Sequence, residues 1–303
     1  MRSKNIQKAF KLIKIKGLPT AITQIFKSII YRIKYRKDIA SNKKNLIIYS
    51  CNFDDNMLDL NSIKRFLRYS DTINNKVIKN EIAIYSTFFG HKENITLRPK
   101  KIVSIYPHYF ISNNNEAIDL AKKFGWLTIK VDLPISNNHI LSSLQAKIPK
   151  SLPHLFNELN SYEHLIYQDD KLFLDDESIN LILFDFKKTN SIYSARLHTS
   201  ENRNILNEYG ESMRQLRYRA QLEKTSSYIL GKVDEGMSLK PANFYLTGLI
   251  IRDNKSEIVK TFDEYWYKQI LECGIECQIS FNFCHQRYSI VTNINESHLN
   301  LNP

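Results

Sequence analysis

Between Glu81 and Phe186 short apolar, β-rich runs alternate with amphipathic stretches. No other feature constrains the fold as strongly, because strands separated by helices are joined as parallel neighbours through crossover connections. Residues 46–51, 81–88, 108–112, 126–131 and 165–168 read as strands, with a helix from the Asn113–Asn115 turn through Phe124. Residues 139–160 read as helical, interrupted at Pro149 and Pro153. Further on, 179–186 and 192–195 read as strands, 200–224 as a long polar helix, 245–252 as a strand broken by Gly248, and 255–272 as a helix. Gln278 to Phe283 reads as a last strand, and residues 291–303 as a polar tail. The expected fold is α/β: a Rossmann-like, mostly parallel sheet flanked by helices, in one domain over residues 45–290.

The formal charge of +12 suggests nucleic acid until its distribution is considered. Residues 1–44 hold thirteen lysines and arginines against Asp38 alone, so the remaining 259 residues balance at thirty basic and thirty acidic. A uniformly basic nucleic-acid binder would carry its positive footprint on the folded domain. Here Ile22, Ile25, Phe26, Ile29, Ile30 and Ile33 share one helical face, with Lys27, Arg32, Lys34, Arg36 and Lys37 around it. Such a helix lies in the headgroup region of an anionic bilayer, or packs on the domain as an ordinary surface helix. The membrane surface is the favoured reading, and no nucleic acid is expected.

No stretch is long and apolar enough to span a bilayer, and no signal-peptide cleavage pattern follows the first cations. The four cysteines, Cys51, Cys273, Cys277 and Cys284, lack paired zinc spacing and are too sparse for a disulfide framework. A cytoplasmic location, peripheral on the inner face of the cell membrane, is the expectation.

In open α/β sheets ligands bind beyond the carboxyl ends of the strands. Ser86 and Thr87, Ser112 and Asn113, and Asp169 and Asp170 all fall at such ends and are candidates for one pocket. The run LIYQDD ends in two neighbouring carboxylates, which either hold a cation or mark an exposed turn. Asp175, Asp176 and Glu177 read instead as a helix start, where carboxylates suit the dipole.

Several weak motifs in a fixed order, from about Glu81 to Cys284, carry a resemblance. YSTFFGHKE at Tyr85–Glu93 is similar to a strand of the form Y-x-x-I-F-G-x-Y-D, and FISNN at Phe110–Asn114 to an F-T-D-N-like strand end. KIPKSLPH at Lys147–His154 resembles R-x-x-K-x-x-P-H, and YQDDKL at Tyr167–Leu172 resembles W-I-D-G-x-I. His198 and Glu208 stand where an isolated His and an acidic helix occur, and Gly248–Arg252 is similar to G-x-I-x-R. Tyr265 and Trp266 followed by CQISF at Cys277–Phe281 resemble an aromatic W-W helix followed by D-Q-x-S-F. The chain thus resembles the glycosyltransferase-like family first catalogued as domain of unknown function 616, with Cys277 and Asp170 departing from its acidic residue and its glycine.

The resemblance implies a GT-A-type fold and transfer of a sugar from a nucleotide-sugar donor to a glycan, here a lipid-linked cell-surface polysaccharide such as capsule or O-antigen. Negative charge builds on the departing diphosphate, and a divalent cation (Mn²⁺ or Mg²⁺) or fixed cations must absorb it. Asp169 is the implied metal ligand and Asp170 its helper or a ribose contact. Lys147 and Lys150 are phosphate candidates, or a solvated helix face, with His154 beside them. Ser86, Thr87, Ser112 and Asn113 would serve the base and ribose, with Tyr85 stacking on the base. His198, Asp253 and Gln278 are the catalytic candidates; Gln278 is no general base, so its implied role is toward a sugar. A non-catalytic nucleotide- or glycan-binding protein on the same fold is the alternative.

Overall fold

The computed structural model describes residues 49–68, 81–91, 101–169, 172, 174–200 and 203–299. The basic segment 1–44 and Asp170 lie outside the described residues, as do positions 46–48 of the first expected strand; 49–51 form no strand.

Seven strands build one sheet in the order β3-β2-β1-β4-β6-β5-β7. They are β1 (Ile82–Phe88), β2 (His108–Ser112), β3 (Leu127–Lys130), β4 (His164–Gln168), β5 (Tyr193–Leu197), β6 (Tyr245–Asp253) and β7 (Val291–Ile294). Only β6 runs backward, antiparallel to both β4 and β5; every other pairing is parallel. The mostly parallel, helix-flanked sheet expected from the sequence is therefore present. β7 corrects the expected tail, since it pairs with β5 and closes that edge of the sheet.

Nine helices are described: α1 (Leu60–Arg68), α2 (Asn115–Lys123), α3 (His139–Ser151), α4 (Asp176–Lys188), α5 (Ile205–Ser212), α6 (Leu216–Arg219), α7 (Leu222–Asp234), α8 (Glu257–Cys273) and α9 (Cys277–Tyr288). Residues from α3 and α8 pack with Ala83, Tyr85, Leu165, Tyr167 and Ile250 in the main core on one face of the sheet. Residues of α4 pack with Ile82, Ile84, Ile166 and Ile251 on the other face. Trp266, Tyr267 and Phe262 of α8 are fully buried, and truncating such a side chain typically costs about 3–5 kcal/mol.

Two expected strands are helices. In α4, Ile179, Ile182 and Phe186 are buried at i, i+3 and i+7, while Asp175 caps the helix by accepting from the Ser178 amide. The carboxylates at 175–177 thus do open a helix, as read. In α9, residues 279–284 are all buried, because the helix lies between two apolar clusters. A helix buried all round loses its polar face, so Ile279, Phe281 and Phe283 imitate strand alternation. The expected polar helix over 200–224 is divided into α5, α6 and the start of α7.

Candidate functional site

α3 is entered through Asn138, whose side chain accepts from the Ile140 amide, and its buried Ile140, Leu144 and Ile148 hold it to the sheet. Its last turn lies against the sheet, and from there the Lys150 side chain reaches back to Asp169, the residue after β4. The Lys150 backbone carbonyl accepts hydrogen bonds from Arg252 Nη2 at 2.9 Å and from the Tyr85 hydroxyl at 3.4 Å. Arg252 is itself fully buried, with Nη1 2.7 Å from Asp263 Oδ2. The turn carrying Lys150 is therefore clamped from beneath.

The Lys150 side chain is 3% exposed, and its ammonium lies 3.4 Å from Asp169 Oδ1 and 4.7 Å from the centre of the Tyr167 ring. Tyr167 donates its hydroxyl to the same Asp169 oxygen at 2.5 Å. The Asp169 amide donates to Gly248 O at 2.8 Å. A Cβ on Gly248 would stand 3.1 Å from Asp169 Oδ2, so the glycine on β6 makes the space this carboxylate occupies. The Asp169 side chain stays 41% exposed, which makes it the solvent-facing member of the pair.

Burial opposes charge on both partners. The Lys150 and Lys147 cations and the Tyr167 hydrogen bond outweigh it at Asp169, holding that carboxyl below its usual range. At Lys150 burial is likewise outweighed, by Asp169 foremost, so the ammonium titrates above the ordinary lysine value. An ionised pair sits at the end of a parallel strand.

Glu276 caps α9, accepting from the Gln278 amide at 3.3 Å. It is 8% exposed; burial and then Glu208 push its carboxyl upward, against Lys147 and Arg217. Gln278 Oε1 accepts from the Thr247 amide at 3.4 Å, next to Gly248. Arg217 stacks over Tyr218 at 4.6 Å, and burial followed by Glu276 pushes the Tyr218 phenol well up. The Lys147 cation favours the ionised form of both Asp169 and Glu276.

Of the residues read from the sequence, Lys147, Lys150, Asp169 and Gln278 come together here. The others have different places. Tyr85 is fully buried with its hydroxyl on Lys150 O, so it supports α3 and offers no ring face for stacking. Thr87 donates to Ala146 O of α3 at 3.4 Å, and Ser86 is buried on the opposite face of β1. Ser112 accepts from the Asn114 amide. Asn113 accepts from the Gly90 amide and donates to Leu133 O and Pro134 O, so its polar atoms fasten loops. His154 faces Glu264 at 3.7 Å, and burial lowers its ring to about 4.

Asp253 pairs with His164 in the β4–β6 register, while Gln168, just before Asp169, pairs with Leu249. Asp253 thus lies at the opposite edge of the sheet from Asp169, too far to act on the same bond. His198 follows β5 at the Asp169 edge but lines a separate cleft. Its Nδ1 accepts from the Ser200 amide at 3.0 Å, so the neutral ring carries its proton on Nε2 and has no lone pair there for a base or a cation. Arg252, the last residue of the G-x-I-x-R-like stretch, faces Asp263 in the core.

Glu276 was not singled out from the sequence. Its signal was positional: an acidic residue one place before Cys277, at the cap of the helix that carries Gln278. Among the described residues, Glu81, Glu163 and His164 form a group that could hold a metal ion, with ligand atoms within 4.8 Å of one another. This group lies at the start of β1 and β4, at the edge away from Asp169, and the Lys187 ammonium already contacts Glu81.

No family model and no curated protein matches the chain. Among solved structures it is similar to mouse xyloside xylosyltransferase 1 at 11% identity and a TM-score of 0.39, covering 71% of this chain and 86% of that one. It is similar to the WbbM bifunctional glycosyltransferase at 12% identity and 0.39, covering 73% and 40%. The mannosyltransferase Ktr4p from S. cerevisiae in complex with GDP follows at 12% and 0.35, covering 86% and 82%. The chemistry of the site is set by its own residues.

Proposed function

We propose that this chain is a nucleotide-sugar-dependent glycosyltransferase whose donor diphosphate lies over Lys147, Lys150 and Asp169. The observation that carries the reading is the pairing of buried Lys150 with solvent-facing Asp169 just after β4, with Gln278 bonded to Thr247 beside Gly248. As the glycosidic bond breaks, negative charge develops on the departing diphosphate, and cations already held in place stabilise it without reorganising. Lys147, half-buried, is the second cation; Lys150, fixed by Asp169 and Tyr167, is the preorganised one.

Asp169 Oδ1 takes both hydrogen bonds, which leaves Oδ2 on the Gly248 side. One open carboxylate oxygen fits Mg²⁺ or Mn²⁺, which use one or two protein carboxylates beside phosphates and water. A cation bound there would add charge to the diphosphate. Glu276 is our candidate to accept a proton from an incoming hydroxyl, and burial raises its carboxyl above the ordinary glutamate value, the direction that strengthens a base. Gln278 would hydrogen-bond the sugar.

The acceptor in this reading is a lipid-linked cell-surface polysaccharide presented at an anionic membrane, with residues 1–44 as the contact. Among the described residues no helix is long and apolar enough to cross a membrane. The test is a thermal-shift and donor-hydrolysis screen of nucleotide sugars, with and without Mn²⁺ or Mg²⁺, on the wild type and Asp169→Asn. Stabilisation by one donor, lost in Asp169→Asn, supports the reading. A folded wild type that neither binds nor hydrolyses any donor overturns it, and binding without turnover selects the non-catalytic alternative.

A further inference from the structure

A cleft of about 470 Å³ opens where β5 and β7 end, lined among others by His198, Arg203, Pro241, Ala242, Asn293 and Glu296. That volume lies within the usual range for small-ligand sites. β4 and β5 both run antiparallel to β6, so the cleft opens on the same sheet edge as Asp169. Asp169 bonds to Gly248 and Leu197 pairs with Tyr245. Two strand spacings and three residues along β6 separate the two places, roughly 10 Å in each direction. More than one sugar ring is needed to bridge that span.

The chemistry of the lining selects the ligand. Arg203 donates through Nε and Nη2 to Glu208, and Glu296 accepts from Arg196 at 2.8 and 3.2 Å. Among the described residues each charge in the wall is therefore met by its opposite, and they present neither a phosphate trap nor a cation trap. Pro241 and Ala242 supply an apolar surface. His198 presents Nε2–H as a donor, and burial together with Arg203 keeps its ring neutral. Asn293 has Oδ1 occupied by the Leu197 amide, which leaves its NH₂ group as a donor. Donors above an apolar wall with balanced charge suit a neutral, hydroxyl-rich chain.

We propose that this cleft binds a neutral oligosaccharide, with His198 as a hydrogen-bond donor to a sugar hydroxyl. The word acceptor for that oligosaccharide rests on the transferase reading above; the binding site does not. The probe is a printed array of neutral, carboxylated and phosphorylated oligosaccharides, run with full-length protein and followed by calorimetry on the tightest neutral glycan. Ala242→Trp fills the cleft and His198→Ala removes the donor. Each is expected to lose roughly tenfold or more in glycan affinity, while His198→Gln, which keeps a donor near Nε2, retains most of it.

The donor-induced thermal shift should survive in Ala242→Trp and vanish in Asp169→Asn, whose glycan binding stays intact. Preference for phosphorylated glycans, or neutral-glycan binding indifferent to both cleft variants, overturns the proposal. So does a wild type that responds to a donor yet binds no neutral glycan. Glycan binding sensitive to Ala242→Trp without any donor response would uphold the cleft and overturn the transferase reading alone.

Discussion

Removing the Asp169 carboxylate should destabilise this protein more than removing the Lys150 ammonium it pairs with. The asymmetry comes from exposure: the Lys150 side chain is 3% exposed and that of Asp169 is 41%. Asp169→Asn leaves a buried cation without its counter-charge, and breaking a fully buried pair in that way costs about 3–5 kcal/mol. Solvent reaching Asp169 reduces this to about 1–3 kcal/mol. For a domain of this size that is a Tm drop of about 3–10 °C. Lys150→Met removes the buried charge itself and leaves a half-exposed carboxylate still bonded to Tyr167, so its cost should stay under about 1 kcal/mol. The double variant should fall near Lys150→Met, not near the sum.

The pH dependence of that gap has a definite sign. Asp169 has a folded pKa below 3.8, so its contribution is present above that value and is lost as the pH falls through the lower folded pKa. Lys150 has a folded pKa above 10.5, so its contribution is present below that value and lost only above it. In Asp169→Asn nothing opposes the burial of Lys150, whose pKa then drops, and alkaline pH relieves the strain by discharging it. The Tm difference between wild type and Asp169→Asn should be widest near neutrality and shrink toward both extremes. Scanning calorimetry on the two singles and the double across that range is the assay. Equal costs for the singles, or a larger cost for Lys150→Met, would refute the reasoning.

Four further outcomes follow from the geometry. Gly248→Ala places a methyl group 3.1 Å from Asp169 Oδ2 and should abolish the metal-dependent donor shift while costing little Tm. Glu276→Gln should lower turnover by about 10²–10⁴-fold with donor binding retained. Wild-type turnover should rise with pH through the raised Glu276 pKa, and calorimetry should show Glu276→Gln gaining stability relative to wild type as pH rises, because the ionised form of Glu276 is the one burial disfavours. Arg252→Met strands Asp263 in the core and should cost about 3–5 kcal/mol, read as a fall in the urea midpoint. Glu163→Gln, at the far edge of the sheet, should leave the donor-dependent metal shift unchanged, which separates the Glu81–Glu163–His164 group from the site at Asp169.

The strands were legible wherever an apolar run ended at a turn residue, which covers β1 to β6. The signal failed at α4 and α9 for opposite reasons. In α4 the buried Ile179, Ile182 and Phe186 keep helical spacing, but apolar residues between them, including the exposed Phe184, hide it. In α9 burial on every side erased the amphipathic pattern. The clustering of Lys150 with Asp169 was legible because each charged residue stands at an element's end. Ser112, Asn113 and Thr87, read from the sequence as ligand contacts, use polar atoms on their own loops and on α3. A polar side chain at a strand end satisfies backbone groups left by the turn as readily as it meets a ligand, and composition alone does not separate the two.

What joins the site to the fold is the one reversed strand. β6 enters the sheet at the Asp169 edge, where the Thr247 amide meets Gln278 and Gly248 opens the space for Asp169. Four residues further along the same strand and on the same face, Arg252 reaches the Lys150 carbonyl. β6 therefore sets both halves of the ion pair, the carboxylate through an absent side chain and the lysine through a buried guanidinium. A parallel strand in that slot would exchange the two ends, carrying Gly248 away from Asp169 and Arg252 away from the Lys150 carbonyl. The reversal is what lets a single strand seat the acid at the surface and anchor its base beneath it.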